Sequence, residues 1–259
     1  MINVYNIYGD DFMQEENKES FIQDDKRAIY GSINGIFLYD FLWPYLCIFI
    51  LQIILQDSYA YLVDTKYYTM SLILSIMTGI FTLLAGMFIA KPKLLIKAYN
   101  KISKSDVKII FSCLGVMMAA TFSYNLFLLM CGVDINGGNA NQSAVLDLIK
   151  QNAFLSFISM VILAPILEEI TYRYFLFGGI RKYNRKWAIV ISGFIFMVAH
   201  SIASFTGEVD NIFREIILLP PYMFSGMVLA YAYDKTSNLA IPTSIHILNN
   251  LISFILSII

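Results

Sequence analysis

Charged residues are scarce in this chain: only 14% of its 259 residues are Asp, Glu, Lys or Arg, whereas 58% are hydrophobic. Soluble globular domains carry about 25% charged residues, so a soluble domain is excluded at the outset. The mean hydropathy is +0.65 and the apolar residues form long runs, which indicates a polytopic membrane protein. A net charge of −1 and the lack of a basic tail argue against nucleic acid as a partner.

Cysteine and histidine are also rare. Cys47, Cys113 and Cys131 lie in apolar runs, and their spacing fits neither a disulfide framework nor a zinc ribbon. We therefore interpret them as small core residues. The only histidines are His200 and His246.

The first 35 residues lack both the basic start and the early apolar core of a signal peptide. They carry seven acidic and three basic residues. We expect residues 1–35 to form a polar cytoplasmic arm.

Long apolar runs predict an all-α fold, a polytopic bundle of about seven transmembrane helices. Each run is close to the roughly 20 residues that cross about 30 Å of hydrocarbon. The candidate spans are 34–56, 67–90, 109–132, 153–177, 187–206, 214–233 and 238–258. The fourth contains charged residues, and Pro220–Pro221 must break or kink the sixth. We assign the first three helices to 36–150 and the last four to 151–259.

Lys and Arg alternate between the two sides of these spans. With the N-terminus inside, fifteen lie on the inner side and three on the outer side, which is the bias expected of cytoplasmic loops. We expect a multi-pass plasma membrane protein with its N-terminus in the cytoplasm and its C-terminus outside. A composition rich in Ile, Lys, Asn and Tyr resembles that of a low-GC bacterium.

Two adjacent glutamates interrupt the fourth span. Glu168 and Glu169 follow fifteen uncharged residues, although an ionisable side chain at membrane depth costs about 2.5–3.5 kcal/mol. Glu169 and Arg173 are four residues apart and can pair on one helix face. Glu168 points about 100° away from that face, where a carboxylate could act as a general base.

Both histidines lie inside predicted spans, each four residues from a polar or aromatic partner: Phe196 precedes His200 and Asn250 follows His246. A rise of about 1.5 Å per residue places Glu168 and His200 roughly 20 Å, and His246 roughly 12 Å, from the inner side. Individually these residues could form structural ion pairs or bind buried carbonyls. Their joint occurrence favours one functional site inside the membrane.

In chain order, the segments Glu168-Glu169-Ile-Thr-Tyr-Arg173, Phe196-Met-Val-Ala-His200 and His246-Ile-Leu-Asn-Asn250 match EExxxR, FxxxH and HxxxN. This set, spread over about 153–255, resembles the CAAX-protease and bacteriocin-processing (CPBP, Abi) family, which includes the type II CAAX prenyl endopeptidases. The resemblance implies an intramembrane endopeptidase whose site opens toward the cytoplasm.

The resemblance also implies roles for individual residues. Glu168 and His200 would activate the attacking water, and His246 and Asn250 would stabilise the oxyanion. Glu169 and Arg173 would hold the motif helix, with Phe196 as a further structural support. The expected partners are the bilayer and a peptide or lipidated-protein substrate inside it.

Metal use is an open alternative at this point. Glu168, His200 and His246 could bind zinc with an open fourth position. However, HExxH is absent, and Asn250 beside His246 fits hydrogen bonding to an oxyanion better. The resemblance also implies a glutamate-type mechanism, and we favour this mechanism, without metal or other cofactor.

Two other functions compete with proteolysis. A bacteriocin self-immunity protein or a membrane scaffold would share the motifs without cleaving a peptide. A transporter would carry polar residues along several spans, and the first three spans have few.

Overall fold

The computed structural model describes residues 21–22, 24–42, 65–202 and 211–259. Every regular element in these ranges is helical, so the predicted all-α class is confirmed. The elements are α1 (Asp25–Ile33, continued by a π-helical stretch Asn34–Leu42), α2 (Thr65–Ala90), α3 (Pro92–Ala98), α4 (Lys104–Met130), α5 (Ala140–Gln151), α6 (Ala153–Arg181), α7 (Arg185–His200), α8 (Ile212–Ile217), α9 (Pro220–Thr236) and α10 (Ala240–Ile258).

Five spans in the described ranges are long and apolar enough to cross a membrane. They are Thr69–Ala90, Lys104–Met130, Ala153–Arg181, Ile212–Thr236 and Ala240–Ile258. These correspond to the second, third, fourth, sixth and seventh predicted spans, so a polytopic membrane bundle is confirmed. The first predicted span (34–56) and the fifth (187–206) run into residues outside the described ranges. Cys47 also lies outside these ranges. The total of seven therefore stays a prediction.

Polar side chains and prolines set the helix ends. Capping boxes begin α4 at Ser103 and α5 at Asn139, where a side chain satisfies one of the otherwise unpaired backbone N–H groups. The predicted break at Pro220–Pro221 is present, because α8 ends at Ile217 and α9 begins at Pro220. Proline suits this first turn, where no intrahelical partner exists for its missing N–H.

Helix α6 is irregular along most of its length. Two π-helical stretches, Phe157–Leu163 and Glu169–Phe177, flank the α-helical turn Ala164–Glu168. In each stretch hydrogen bonds run to the fifth residue back, as from the Gly178 N–H to the Arg173 carbonyl. Such wide turns are uncommon and often occur at functional sites. Here one of them begins at the second glutamate of the motif.

Helices α7 and α9 pack against each other along much of their length, and two glycines allow this close approach. A Cβ atom at Gly226 would lie 2.8 Å from the Gly193 Cα and 3.1 Å from the Phe196 Cβ. A Cβ atom at Gly193 would lie 2.8 Å from the Met223 carbonyl oxygen. The backbone of α9 is therefore held directly against the backbone of α7, close to the FxxxH motif.

Loops that the charge pattern assigns to one side of the membrane meet at one end of the bundle, here called the basic end. The buried Asp234 carboxylate pairs with Arg181 and Arg185, and the Leu239 N–H donates to the Ala98 carbonyl at 2.7 Å. Asp25 of α1 pairs with Lys182.

The loops assigned to the other side meet at the opposite end. There the Arg214 guanidinium donates to the carbonyls of Asp134 and Asn136, and Glu215 accepts from the Ala140 N–H at 2.8 Å. The grouping agrees with the charge pattern. Which end faces the cytoplasm stays a prediction.

The α7–α9 contact can be tested with Gly226→Ala. The added methyl has no space between the two backbones, so we expect a loss of about 1–3 kcal/mol of stability. The measurement is the unfolding temperature of the purified protein in detergent. Gly115→Ala is the matched control, because a Cβ atom there meets nothing within 4 Å and alanine favours a helix by up to about 1 kcal/mol. Equal shifts for the two variants would contradict the close-packed crossing.

Candidate active site

Three titratable side chains from three helices converge at the centre of the site. The Glu168 Oε2 of α6 lies 3.7 Å from the His246 Nε2 of α10 and 4.0 Å from the His200 Nε2 at the end of α7. These separations leave room for one water about 2.8 Å from the carboxylate and from either imidazole. The structure thus brings together the glutamate and the two histidines that the sequence motifs single out.

His200 contacts two aromatic rings and one backbone carbonyl. Its ring lies 4.4 Å from the Phe196 ring and stacks on the Tyr222 ring at 4.7 Å, measured between centroids. Its Nδ1 is 2.9 Å from the Phe196 carbonyl oxygen. A carbonyl oxygen only accepts, so Nδ1 carries a proton, and in the neutral form of the ring Nε2 is then an acceptor.

A buried ionic network adjoins the Glu168, His200 and His246 side chains. Glu169 accepts from the His246 Nδ1 at 2.8 Å with one oxygen, and its other oxygen lies 3.1 Å from the Arg173 Nε. Glu169 and Arg173 are both fully buried. Arg173 also donates to the Gly226 carbonyl at 3.3 Å, so the network joins α6 to α9 and α10.

Phe196 packs into the same network. The Arg173 guanidinium lies 4.7 Å from its ring centroid, an attractive cation–π geometry. The His246 ring meets the same phenyl ring edge-on at 5.7 Å. Phe196 therefore contacts both histidines and the arginine, and its role as a structural support stays a prediction.

Asn250 lies one turn beyond His246, with its carboxamide orientation determined by two hydrogen bonds. Its Nδ2 donates to the Met160 carbonyl at 3.0 Å, and its Oδ1 accepts from Asn249 at 3.4 Å. A carboxamide nitrogen has two N–H groups, so the Met160 contact uses one of them. Its predicted role at the oxyanion stays a prediction.

Glu168, His200, His246 and Asn250 line one cavity of about 810 Å³, within the usual size range of ligand-binding pockets. From the site the cavity reaches Gly137 and Asn141 at the opposite end of the bundle. The charge pattern assigns this end to the outside. The expected opening toward the cytoplasm, which came from the resemblance, is therefore at odds with the predicted orientation.

Sequence reasoning missed Tyr222. It stacks on His200, and its hydroxyl lies 3.3 Å from the Asn141 Nδ2 and 3.4 Å from the Asn139 Oδ1. No spacing rule marks a tyrosine that follows two prolines in an apolar run. Glu215 and Asp234 were also passed over, although an acidic residue within or at the end of a predicted span is a signal in itself.

The zinc alternative can be tested against the donor geometry. Ligands about 2.0–2.2 Å from one tetrahedral ion lie roughly 3.3 Å from each other. The Glu168 carboxylate is 3.7 and 4.0 Å from the two imidazole nitrogens. Within the described ranges, no three His, Cys, Asp or Glu side chains are grouped to hold a metal ion. Glu168, His200 and His246 are the residues that would hold zinc, and the mechanism without metal stays a prediction.

Comparison with known proteins agrees with this geometry. Residues 150–252 match the family model described as "Type II CAAX prenyl endopeptidase Rce1-like". This segment is similar to an Rce1-like CAAX protease domain. All three motifs lie inside it, so the family resemblance is confirmed over these residues.

Two curated relatives are each similar to part of the chain. The membrane-embedded CAAX protease MroQ of Staphylococcus aureus is 33% identical over 104 residues, which are 38% of this chain and 36% of MroQ. An uncharacterised protein of Mycoplasma capricolum is 31% identical over 193 residues, 66% of this chain and 54% of that protein. The chain thus spans between about a third and a half of these relatives. No solved structure gives a significant match.

The buried network predicts a large effect for Glu169→Gln. The change leaves the Arg173 guanidinium buried without its negative partner, which costs about 3–5 kcal/mol when one member of a buried pair is removed. The measurement is again the unfolding temperature in detergent. Asp147→Asn is the control, because Asp147 and its partner Lys150 are mostly exposed and such pairs contribute about 0–1 kcal/mol. A shift no larger than that of the control would refute the structural importance of the network.

Proposed function

We propose that the protein is an intramembrane endopeptidase that hydrolyses a peptide bond of a membrane-associated or leader peptide substrate. The observation that carries the proposal is the meeting of Glu168 with the Nε2 atoms of both histidines at the cavity wall, 3.7 and 4.0 Å away. The match of residues 150–252 to a CAAX protease family model supports it. So does the similarity to MroQ, a membrane-embedded CAAX protease.

The attacking water would lie between Glu168 and the imidazoles. Glu168 removes a proton from it as the water oxygen attacks the carbonyl carbon of the substrate, and His200 Nε2 accepts the other hydrogen bond and orients the water. A positioned general base contributes about 10²–10⁴-fold to the rate. The proton then passes from Glu168 to the amine of the departing peptide, which restores the carboxylate.

The tetrahedral intermediate carries negative charge on the former carbonyl oxygen. The remaining N–H of the Asn250 carboxamide can donate to it, and the contacts with Met160 and Asn249 keep that donor in place. When the His246 ring is protonated, its Nε2 becomes a second donor, and Glu169 balances the charge at Nδ1. One such donor is worth about 10²–10³-fold in rate.

In this proposal Glu169 and Arg173 are positioning residues. They act through His246 and through the α9 backbone, and the reacting atoms meet Glu168, His200, His246 and Asn250. The proposal includes no metal, which follows the glutamate-type mechanism that the family resemblance implies.

Glu168→Gln tests the function in cells that lack the chromosomal gene and carry it on a plasmid. We expect new peptide N-termini in the membrane fraction with the wild-type protein, detected by terminal-amine proteomics, and their loss by at least 100-fold with Glu168→Gln, because the base is gone. Asp147→Asn should retain them. Equal cleavage by Glu168→Gln would refute the role of Glu168. If wild-type and variant cells have the same N-termini yet both keep a protective phenotype, the protein is a non-proteolytic immunity factor.

The absence of a metal is tested on the purified protein. We expect well below one zinc per chain by elemental analysis, and cleavage of a substrate found by proteomics should survive a membrane-permeant chelator. Stoichiometric zinc that disappears in the His200→Ala and His246→Ala variants would overturn the metal-free mechanism. The zinc content is read independently of activity.

A further inference from the structure

The lining of the cavity bears on the chemical class of the substrate, an inference that rests on the proposed function. Among the described residues that line the cavity, Glu168 is the only Asp, Glu, Lys or Arg. The other described residues of the lining are apolar, hydroxyl-bearing or carboxamide-bearing, apart from the two histidines. A charged substrate side chain would therefore enter without a compensating partner, at a large desolvation cost.

The Glu168 carboxylate cannot serve as the partner of a cationic side chain of the substrate. A Lys or Arg that paired with Glu168 would occupy the base that the proposed reaction needs. A substrate carboxylate would face Glu168 with like charge. The residues flanking the scissile bond must therefore be uncharged for productive binding.

Asparagine and glutamine make up much of the polar part of the described lining. Five of them line the cavity: Asn125, Asn141, Gln142, Asn249 and Asn250. Each carboxamide offers two donors and an acceptor oxygen, and the recorded contacts of Asn141, Asn249 and Asn250 each use a single N–H. A peptide backbone needs such partners, because an extended segment removed from water has unpaired N–H and C=O groups.

An isoprenoid or acyl chain would make no use of these groups. Burying five carboxamides against hydrocarbon would remove them from water without new hydrogen bonds, which is unfavourable. The carboxamides therefore favour a peptide as the occupant of the cavity. Met117, Met118 and Met160 also line it, and methionine adapts to side chains of different shape.

We propose that the cavity binds an uncharged peptide segment in extended form, recognised through its backbone by the carboxamides. Side-chain selectivity consists mainly of the exclusion of charge. The residues next to the scissile bond are not Asp, Glu, Lys or Arg, and no particular sequence is required there.

Binding of synthetic peptides to the full-length Glu168→Gln variant in nanodiscs tests this without cleavage. The probes are four fluorescent twelve-residue peptides of Ala, Leu and Ser that differ at the centre: unmodified, with one Lys, with one Asp, or with two N-methylated peptide bonds. We expect the unmodified peptide to bind at least tenfold more tightly than the Lys and Asp peptides. N-methylation removes backbone N–H donors, and we expect it to weaken binding several-fold.

Asn125→Leu and Asn249→Leu identify the carboxamides as the cause. Each should weaken binding of the unmodified peptide several-fold and reduce the penalty for N-methylation, whereas Asn136→Leu, on an exposed residue outside the cavity wall, should change neither. Variants that fail to fold are recognised by their unfolding temperature. Binding of the N-methylated and unmodified peptides with equal affinity would overturn backbone recognition.

Failure of this inference can be told apart from failure of the proposed function. If the unmodified peptide binds selectively but the wild-type protein cleaves no membrane peptide, the cavity assignment stands and the protease proposal falls. If the wild-type protein cleaves peptides with and without central charges equally well, the protease proposal stands and the proposed exclusion of charge falls. Lack of binding by all four peptides, or displacement of the unmodified peptide by free farnesol, would overturn the substrate class proposed here.

Discussion

The buried contact between Glu169 and Arg173 is the interaction on which the remaining site geometry depends. A carboxylate and a guanidinium without solvent exposure are tolerable only if each is paired and hydrogen-bonded. Here the second carboxylate oxygen meets His246, and the guanidinium meets the Gly226 carbonyl. Satisfying one buried pair therefore places α10 and α9 relative to α6. The histidine that faces Glu168 is oriented by the same contacts that compensate the buried charges.

The two glutamates of the motif have different surroundings although they are adjacent in sequence. Glu169 is enclosed and committed to the ionic network, whereas Glu168 lies at the cavity wall between two imidazole nitrogens. Within the wide turn of α6 that starts at Glu169, the Arg173 Nε lies 3.1 Å from the Glu169 carboxylate. One dipeptide thus supplies both a structural carboxylate, Glu169, and a chemically available one, Glu168. They differ because they lie on different faces of the helix.

Much of the fold and the site could be predicted from the sequence. Apolar runs reveal membrane helices because few other structures bury 20 apolar residues, and Pro220–Pro221 marks a break because proline lacks an N–H. Glu168, His200 and His246 stand out because ionisable groups are costly in a bilayer. Tyr222 and the Gly193–Gly226 crossing could not be found this way, since both depend on which helices become neighbours. The direction of the cavity likewise follows from packing and not from any motif.

Tyr222 connects the start of α5 with His200. Its ring stacks on the His200 ring, while its hydroxyl contacts the two asparagines at the start of α5. Glu215 binds the same helix start through the Ala140 N–H. A continuous series of contacts therefore runs from the start of α5 through Tyr222 to the imidazole of His200. A substitution at Asn139 or Asn141 changes the surroundings of a tyrosine that itself touches a histidine of the candidate site.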